Sequence, residues 1–365
     1  MTDDARHMAH ALRLGRRGMG QCWPNPAVGC VIVREGRVVG RGWTQPGGRP
    51  HAEPVALAQA GEAARGATAY VTLEPCAHHG QTPPCATALA EAGIARVVAP
   101  LADRDPRVSG KGFEMLRRRG IEVTTGILAE EAARDHSGFF LRIGQGRPHV
   151  TLKLASSFDG RIATATGESR WITGPEARAV VHALRASHDA VMVGAGTARA
   201  DDPDLTVRGW GPRRQPVRVV VSRLIDVPLM SRLAASARDV PVWLVHGRDA
   251  PVQTRRAWES CGARLLPCAL TGGRIDPAAL LSGLAAEGLT RVFCEGGGQL
   301  AASLLGADLV DELVGFTAGV ALGAEGRPGI GALGIDRLAE APRFTLAETR
   351  VVGADVMHRW HRRAA

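Results

Sequence analysis

Four residues carry the most chemistry in this chain of 365 residues: His51, Glu53, Cys76 and Cys85. One imidazole and two thiolates hold zinc in three tetrahedral positions and leave the fourth open for water. Bound zinc lowers the pKa of that water towards ~7, which gives a hydroxide nucleophile at neutral pH. Glu53 lies two residues from His51, close enough to carry a proton from the water to a leaving group without being a ligand. The chemistry implied is a metal-assisted hydrolysis. The alternative is that His51 merely opens a helix while the cysteines fill core space as small hydrophobes.

The elements that must position these residues favour the metal. Residues 69–73 read as a strand running up to Cys76, and His51 and Glu53 sit at the start of a predicted helix, 52–60. Cys85 follows Pro84, which suits the first turn of a helix over 85–92 that stops at Gly93. A thiolate there is favoured by the helix dipole and by unpaired N–H groups. The order H-x-E, P-C, P-C approaches the signature known for zinc deaminases, H-x-E…P-C-x-x-C. One difference matters: eight residues, 77–84, separate the cysteines instead of two. That segment must loop out for both sulfurs to reach one ion.

Around this motif the first half alternates helix and strand. Helix is predicted over 5–18, a buried strand over 28–33, and its hairpin partner over 37–43 after the Glu35-Gly36 turn. Strand 96–99, helix 112–119 and strand 122–125 complete a three-layer α/β pattern. The polar Gly/Pro stretch 144–148 reads as a linker between domains 1–146 and 147–365. The second half is α/β again, with strands over 149–155, 190–193, 217–221, 240–246 and 291–294. No internal repeat or long low-complexity segment occurs. Gly296-Gly297-Gly298, between strand 291–294 and helix 299–305, could bring backbone N–H groups to a phosphate, or could simply make a tight turn. It is not the G-x-G-x-x-G of a Rossmann site. Lys153 lies in an apolar strand, either as an amine placed at a cleft or as a strand-edge lysine.

Charge invites a nucleic-acid reading that the detail does not support. The chain carries 45 Lys and Arg against 36 Asp and Glu, a formal charge of +9 and a pI near 9.9. Lys111 and Lys153 are the only lysines, and the arginines are spread along the whole chain. Aromatic residues make up 4%, which leaves few platforms for stacking bases. This is a compositional bias rather than a tract built for phosphate backbones, so no nucleic-acid partner is expected. No apolar run reaches the ~18–20 residues of a membrane helix, so no membrane partner is expected either. The start, Met1-Thr2-Asp3-Asp4, lacks the basic-then-apolar order of a signal peptide. Seven cysteines, an odd number, fit a reducing compartment. The expected location is cytoplasmic.

Three segments together resemble the deaminase half of the bifunctional riboflavin-biosynthesis deaminase/reductase family. They are Asn25-Pro26-Ala27-Val28-Gly29-Cys30-Val31-Ile32-Val33, His51-Ala52-Glu53, and the run from Thr72-Leu73-Glu74-Pro75-Cys76 to Pro84-Cys85. In that family the lengthened cysteine loop is normal. The resemblance implies His51, Cys76 and Cys85 as Zn2+ ligands, Glu53 as catalytic proton shuttle and Asn25 at the pyrimidine. His78 or His79 would meet the substrate's phosphate or ring, or else both are ordinary exposed loop histidines. In the second half, Lys153-Leu154 with Asp159-Gly160, residues 167–173, Ala200-Asp201-Asp202-Pro203 and Glu295-Gly296-Gly297-Gly298 resemble the reductase half of the same family.

The resemblance implies a cytidine-deaminase-like domain followed by a dihydrofolate-reductase-like domain that uses NADPH. Ala155, Trp171, Thr197, Asp201, Ser222 and the 297–303 turn, with Gly297 and Gly298, would hold the dinucleotide. Lys153, Ser169, Arg185, Leu205, Arg208 and Glu295 would hold the substrate, arginine suiting a phosphate monoester because its fork binds bidentately. The implied substrate is 2,5-diamino-6-(5-phosphoribosylamino)pyrimidin-4(3H)-one, first deaminated and then reduced from ribosyl to ribityl. A homo-oligomer is also implied. Rival readings differ in what they require. An RNA base deaminase requires short cysteine spacing and no reductase-like half. A non-catalytic zinc-binding protein requires a fourth protein ligand, for which Cys30, His78 and His79 are candidates. A monofunctional deaminase requires a degenerate second half.

Overall fold

The computed structural model describes residues 2–78, 83–211 and 213–363. The chain divides into two compact units, Met1–Gly146 and Arg147–Ala365.

The first unit runs α1 (Asp3–Gly15), β1 (Gly29–Arg34), β2 (Arg37–Trp43), α2 (Ala52–Ala60), β3 (Thr68–Val71), α3 (Cys85–Glu91), β4 (Arg96–Ala99), α4 (Lys111–Arg118), β5 (Glu122–Thr125), α5 (Ala129–Asp135) and α6 (Ser137–Gln145). Its sheet has the order β2-β1-β3-β4-β5. β1 is antiparallel to both neighbours, whereas β3, β4 and β5 run parallel. Because successive side chains point to opposite faces, each strand feeds two cores. Cys30, Ile32, Ala69, Val71 and Val97 pack with Ala52, Ala56, Leu89 and Leu116 of α2, α3 and α4. Val31, Val33, Tyr70 and Val98 pack instead with Met8, Ala11 and Leu12 of α1. The result is three layers. The first helix starts earlier than expected, because the Thr2 hydroxyl accepts the Ala5 N–H at 3.3 Å and caps it. It also stops at Gly15, and residues 16–18 tighten into a 3₁₀ turn.

Two glycines on β2 set the height of α2 above the sheet. A Cβ on Gly40 would lie 2.3 Å from the Ala56 carbonyl oxygen, and one on Gly42 would lie 2.1 Å from that of Ala52. Only a bare backbone lets α2 press this close, and its first turn carries His51 and Glu53.

The second unit contains β6 (His149–Ser157), β7 (Arg161–Ala163), α7 (Pro175–Ala186), β8 (Ala190–Gly194), α8 (Ala195–Asp201), β9 (Val217–Val221), α9 (Arg232–Ala235), β10 (Val242–Gly247), α10 (Val252–Ser260) and β11 (Arg264–Cys268). There follow β12 (Leu270–Thr271), β13 (Arg274–Ile275), α11 (Pro277–Ala286), β14 (Arg291–Cys294), α12 (Gly298–Gly306), β15 (Glu312–Ala318), β16 (Arg327–Pro328), β17 (Phe344–Val352) and β18 (Asp355–Arg362). The main sheet has the order β11-β10-β9-β8-β14-β6-β15-β18-β17. Its first seven strands are parallel, and the β17–β18 hairpin closes one side antiparallel to β15. Val191, Val193, Val220, Leu244 and Phe293 of the strands meet Ala177, Val181 and Leu184 of α7 in one core. Those three helix positions follow the i, i+4, i+7 spacing of one helical face.

No helix among the described residues is long and apolar enough to cross a membrane. The close seating of α2 makes a checkable claim. Gly42→Ala drives a methyl into the Ala52 carbonyl and destabilises the protein by about 3 kcal/mol. Gly144→Ala, where nothing lies within 4 Å, leaves stability unchanged or raises it by up to about 1 kcal/mol. Urea unfolding of the two variants separates these outcomes.

Candidate active sites

In the first unit the site sits at the carboxyl ends of the parallel strands, where open α/β sheets bind ligands. His51 is the residue just before α2, in extended conformation (φ −67°, ψ 169°). Cys76 lies in the loop after β3, and Cys85 is the first residue of α3. Three separate elements therefore deliver three donors to one point. His51 Nδ1 is 3.8 Å from Cys76 Sγ and 3.4 Å from Cys85 Sγ, and all three ligand atoms lie within 4.8 Å of one another. Bonds of ~2.0 Å to nitrogen and ~2.3 Å to sulfur at the tetrahedral angle give ligand–ligand edges of about 3.5–3.8 Å. The donor set thus fits zinc by chemistry and by spacing. Neither Cys30 nor His78 joins the cluster, so among the described residues it offers three protein ligands and no fourth. The reading of these cysteines as core filling fails here.

The local electrostatics suit a metal. The Cys85 backbone N–H donates to Cys76 Sγ at 3.2 Å, an interaction available because Cys85 begins a helix. The Cys76 thiol is pushed down to about 4, chiefly by its hydrogen bond with Cys85 and also by His51. The same contact with Cys76, with burial behind it, pushes the Cys85 thiol up. Glu53 is 3% exposed. Burial first, and then the neighbouring Cys76 charge, raise its carboxyl to about 7, while His51 opposes the shift. A carboxyl held there can both take and give a proton near neutral pH.

His51, Glu53 and Cys76 line a cavity of ≈ 280 Å³ together with Asn25, Arg49, His78, Asp103, Asp105, Arg107 and Arg142. The Asn25 side-chain amide donates to the Gly48 carbonyl at 2.8 Å, which fixes its orientation at the rim. His79 lies outside the described residues. His78 Nδ1 is buried and has no hydrogen-bond partner among the described residues. Sequence reasoning missed the 103–107 segment. Its available signal was the spacing Asp103, Asp105, Arg107 directly after a parallel strand. Burial raises the Asp103 carboxyl to about 6, whereas the Arg107 guanidinium holds Asp105 below the usual carboxylate range. Glu74 anchors this segment by accepting backbone N–H bonds from Asp103, Gly110, Gly112 and Phe113 at 2.9–3.2 Å.

The second unit holds a larger cavity of ≈ 810 Å³, again beyond the carboxyl ends of parallel strands. Of the residues expected at a dinucleotide or substrate, Ser169, Thr197, Asp201, Ser222, Gly297 and Gly298 line it. Ala155, Lys153, Arg185, Leu205, Arg208, Trp171 and Glu295 do not. Gly297 adopts φ 88° just before α12, and a Cβ there would lie 3.0 Å from Thr197 Oγ1.

Lys153, Arg185, Asp201 and Glu295 form a charged group. β6 lies between β14 and β15, so the strand-edge reading of Lys153 is overturned; this lysine occupies a central strand. Burial pushes its ammonium below the usual range, with Glu295 and Asp201 opposing. Arg185 makes a bidentate pair with Glu295, and its Nη1 donates to the Thr206 carbonyl at 2.8 Å. Burial would raise the Glu295 carboxyl, but Arg185, with Lys153 and His182 behind it, holds it below the usual carboxylate range. Asp201 is raised by burial, against Arg170 and Lys153.

Leu205 is 2% exposed and belongs to the core. Trp171 is exposed, with the Arg178 guanidinium 4.5 Å over its ring. Arg208 is exposed and only loosely paired, 3.8 Å from Asp204, while its backbone N–H donates to His182 Nδ1 at 3.2 Å. His182 was missed from sequence; it lies one helical turn before Arg185 on α7, which was the signal that could have found it.

Comparison with known proteins matches both units. Residues 1–101 match the family described as "Cytidine and deoxycytidylate deaminase zinc-binding region", and residues 148–358 match "RibD C-terminal domain". Riboflavin biosynthesis protein RibD of Escherichia coli is 42% identical, over 97% of this chain and 98% of that protein. The RibD protein of Aquifex aeolicus is 40% identical over 97% of each chain. Among solved structures, Acinetobacter baumannii RibD superposes with a TM-score of 0.88 at 38% identity, covering 99% of both chains. A deaminase/reductase from Thermotoga maritima gives 0.86 at 32% identity with the same coverage.

The ligand geometry predicts the metal content. Purified protein carries about one zinc per chain. Cys76→Ser and His51→Ala each lose most of it, as metal analysis after dialysis shows, whereas Cys261→Ser keeps it.

Proposed function

The chain belongs to the RibD family of bifunctional riboflavin-biosynthesis proteins, a deaminase and a reductase in one polypeptide, and from that premise we propose how its two sites divide the work. The proposed substrate of the first is 2,5-diamino-6-(5-phosphoribosylamino)pyrimidin-4(3H)-one, a small phosphorylated pyrimidine. The observation that carries this reading is the convergence of His51, Cys76 and Cys85 on one point, beside a buried Glu53 and at a cavity that His51, Glu53 and Cys76 line.

In the deaminase, residues 1–146, His51, Cys76 and Cys85 hold the metal. When bound, zinc supplies an acidified water as nucleophile. Asn25 orients the pyrimidine ring at the rim. Glu53 accepts the proton of the attacking water and delivers it to the departing ammonia, a role that suits a buried carboxyl two residues from the ligand His51. Burial of Glu53 keeps bulk water from competing for that proton.

In the reductase, residues 147–365, the larger cavity takes NADPH, with Gly297 and Gly298 approaching its pyrophosphate and Thr197, Asp201 and Ser222 along it. The family resemblance adds Ala155 and Trp171 as cofactor contacts, although neither lines the cavity itself. NADPH supplies the hydride that converts ribosyl to ribityl. Lys153 and Glu295 flank the sugar and Ser169 borders the substrate, while the resemblance adds Leu205, whose side chain is buried in the core. Arg185 is already committed to Glu295 and Thr206, so it positions Glu295, while the exposed Arg208 fork is the guanidinium available to the substrate's phosphate. We further place the protein in the cytoplasm, supported by an odd number of cysteines, seven, which suits a reducing compartment, as a homo-oligomer, supported by the family resemblance.

Two variants test the assignment. Glu53→Gln retains zinc but loses ammonia release by roughly 10²–10⁴-fold; near-normal deamination would remove Glu53 from the mechanism. Arg208→Ala raises the KM of the reductase step and leaves ammonia release unchanged. Equal loss of both activities would point to a folding defect instead.

A further inference from the structure

The larger cavity of the second unit contains four arginines: Arg199, Arg223, Arg274 and Arg327. Two are already neutralised. Arg199 pairs with Asp226 at 2.6 Å and also donates to its carbonyl. Arg223 forks onto Asp249 through Nε and Nη2. Arg274 and Arg327 have no ion pair among the described residues.

Those two free cations lie at different places along the cavity. Arg327 packs over Gly167, and the adjoining Pro328 carbonyl lies 3.1 Å from where a Cβ of Gly298 would sit. Arg327 therefore belongs to the end formed by the start of α12. Arg274 follows the Gly272-Gly273 turn between β12 and β13, both glycines having positive φ. Arg223 directly follows Ser222, beyond the end of β9, and its Nη1 donates to the Gly273 carbonyl at 2.8 Å. That bond ties the turn carrying Arg274 to the end of β9. The Ser222 hydroxyl accepts the Asp226 N–H at 2.8 Å, which holds the turn after β9 in shape.

The spacing selects what meets Arg274. β9, β8 and β14 are successive neighbours in the sheet, so the ends of β9 and β14 lie about 10 Å apart. That is the scale of an adenosine ribose with its 5′-phosphate. A dinucleotide whose pyrophosphate rests at Gly297-Gly298 therefore brings its adenosine ribose towards Ser222 and the tethered turn. An unmodified ribose offers only hydroxyls there, whereas a 2′-phosphate offers a dianion to a guanidinium that lacks a partner.

We propose that Arg274, held over the end of β9 by Arg223, binds the 2′-phosphate of the dinucleotide and thereby sets the preference for NADPH over NADH. This rests on the reading of the larger cavity as the NADPH site. Asp226 and Asp249 are each occupied by their own arginine, and Asp276, two residues along, accepts from Thr271 and the Ala279 N–H, so Arg274 keeps no ion pair among the described residues.

Calorimetric titration of the full-length protein tests the proposal without turnover, with NADPH, NADH, 2′,5′-ADP and 5′-AMP as probes. Wild type binds NADPH more tightly than NADH. Arg274→Ala weakens NADPH and 2′,5′-ADP by roughly 10–100-fold, while NADH and 5′-AMP change by less than about twofold and the melting temperature of the unliganded protein holds. Arg274→Lys, which keeps the charge and loses the fork, falls between. Equal weakening of NADPH and NADH, or no change in either, overturns the role of Arg274 while leaving the cavity's assignment standing. If wild type binds neither dinucleotide, the NADPH reading fails and this proposal fails with it.

Discussion

The first site depends on one constraint: an imidazole nitrogen and two sulfurs must come within a single ion's bond lengths although they lie far apart along the chain. His51 to Cys76 spans 25 positions, and Cys76 to Cys85 nine more. The fold meets this by ending three elements at one place. α2 begins there because Gly40 and Gly42 let it sit low on β2. β3 ends there, and α3 begins there with a cysteine whose own N–H steadies the other sulfur. Two thiols this close, without an ion, shift each other in opposite directions. A divalent cation removes that conflict by favouring both thiolates at once.

The second unit uses the same architectural rule for different chemistry. Its cavity opens beyond the carboxyl ends of parallel strands, where loops are free to vary while the sheet holds them in place. A charged group of Lys153, Glu295, Arg185 and Asp201 is packed beside it. A buried pair such as Arg185 with Glu295 contributes little net stability, because desolvation offsets the attraction. Its value here is positional. With Arg185 fixed on both Glu295 and the Thr206 carbonyl, the carboxylate cannot wander.

Much of this was legible in the sequence, and for physical reasons. His51, Glu53, Cys76 and Cys85 stood out because metal chemistry permits few residue types, and Pro84 marked the helix start that positions Cys85. The β1, β3 and β4 strands were readable as buried apolar runs. The closing β17–β18 hairpin was not, because most β17 side chains are exposed and its residues lack an apolar alternation. The 103–107 segment and His182 escaped because their roles come from proximity that only folding creates. Lys153 needed the sheet order, since a lysine on a central strand and one on an edge look alike in sequence.

The central claim is that one polypeptide performs two separable reactions in a fixed order on one pyrimidine. The most direct measurement incubates the purified protein with the diaminopyrimidine ribosyl phosphate, with and without NADPH, while following ammonia release and NADPH absorbance independently. The account predicts ammonia without NADPH, and NADPH oxidation only after a lag in which the deaminated product accumulates. NADPH oxidation that precedes ammonia release, or ammonia release that requires NADPH, would contradict it.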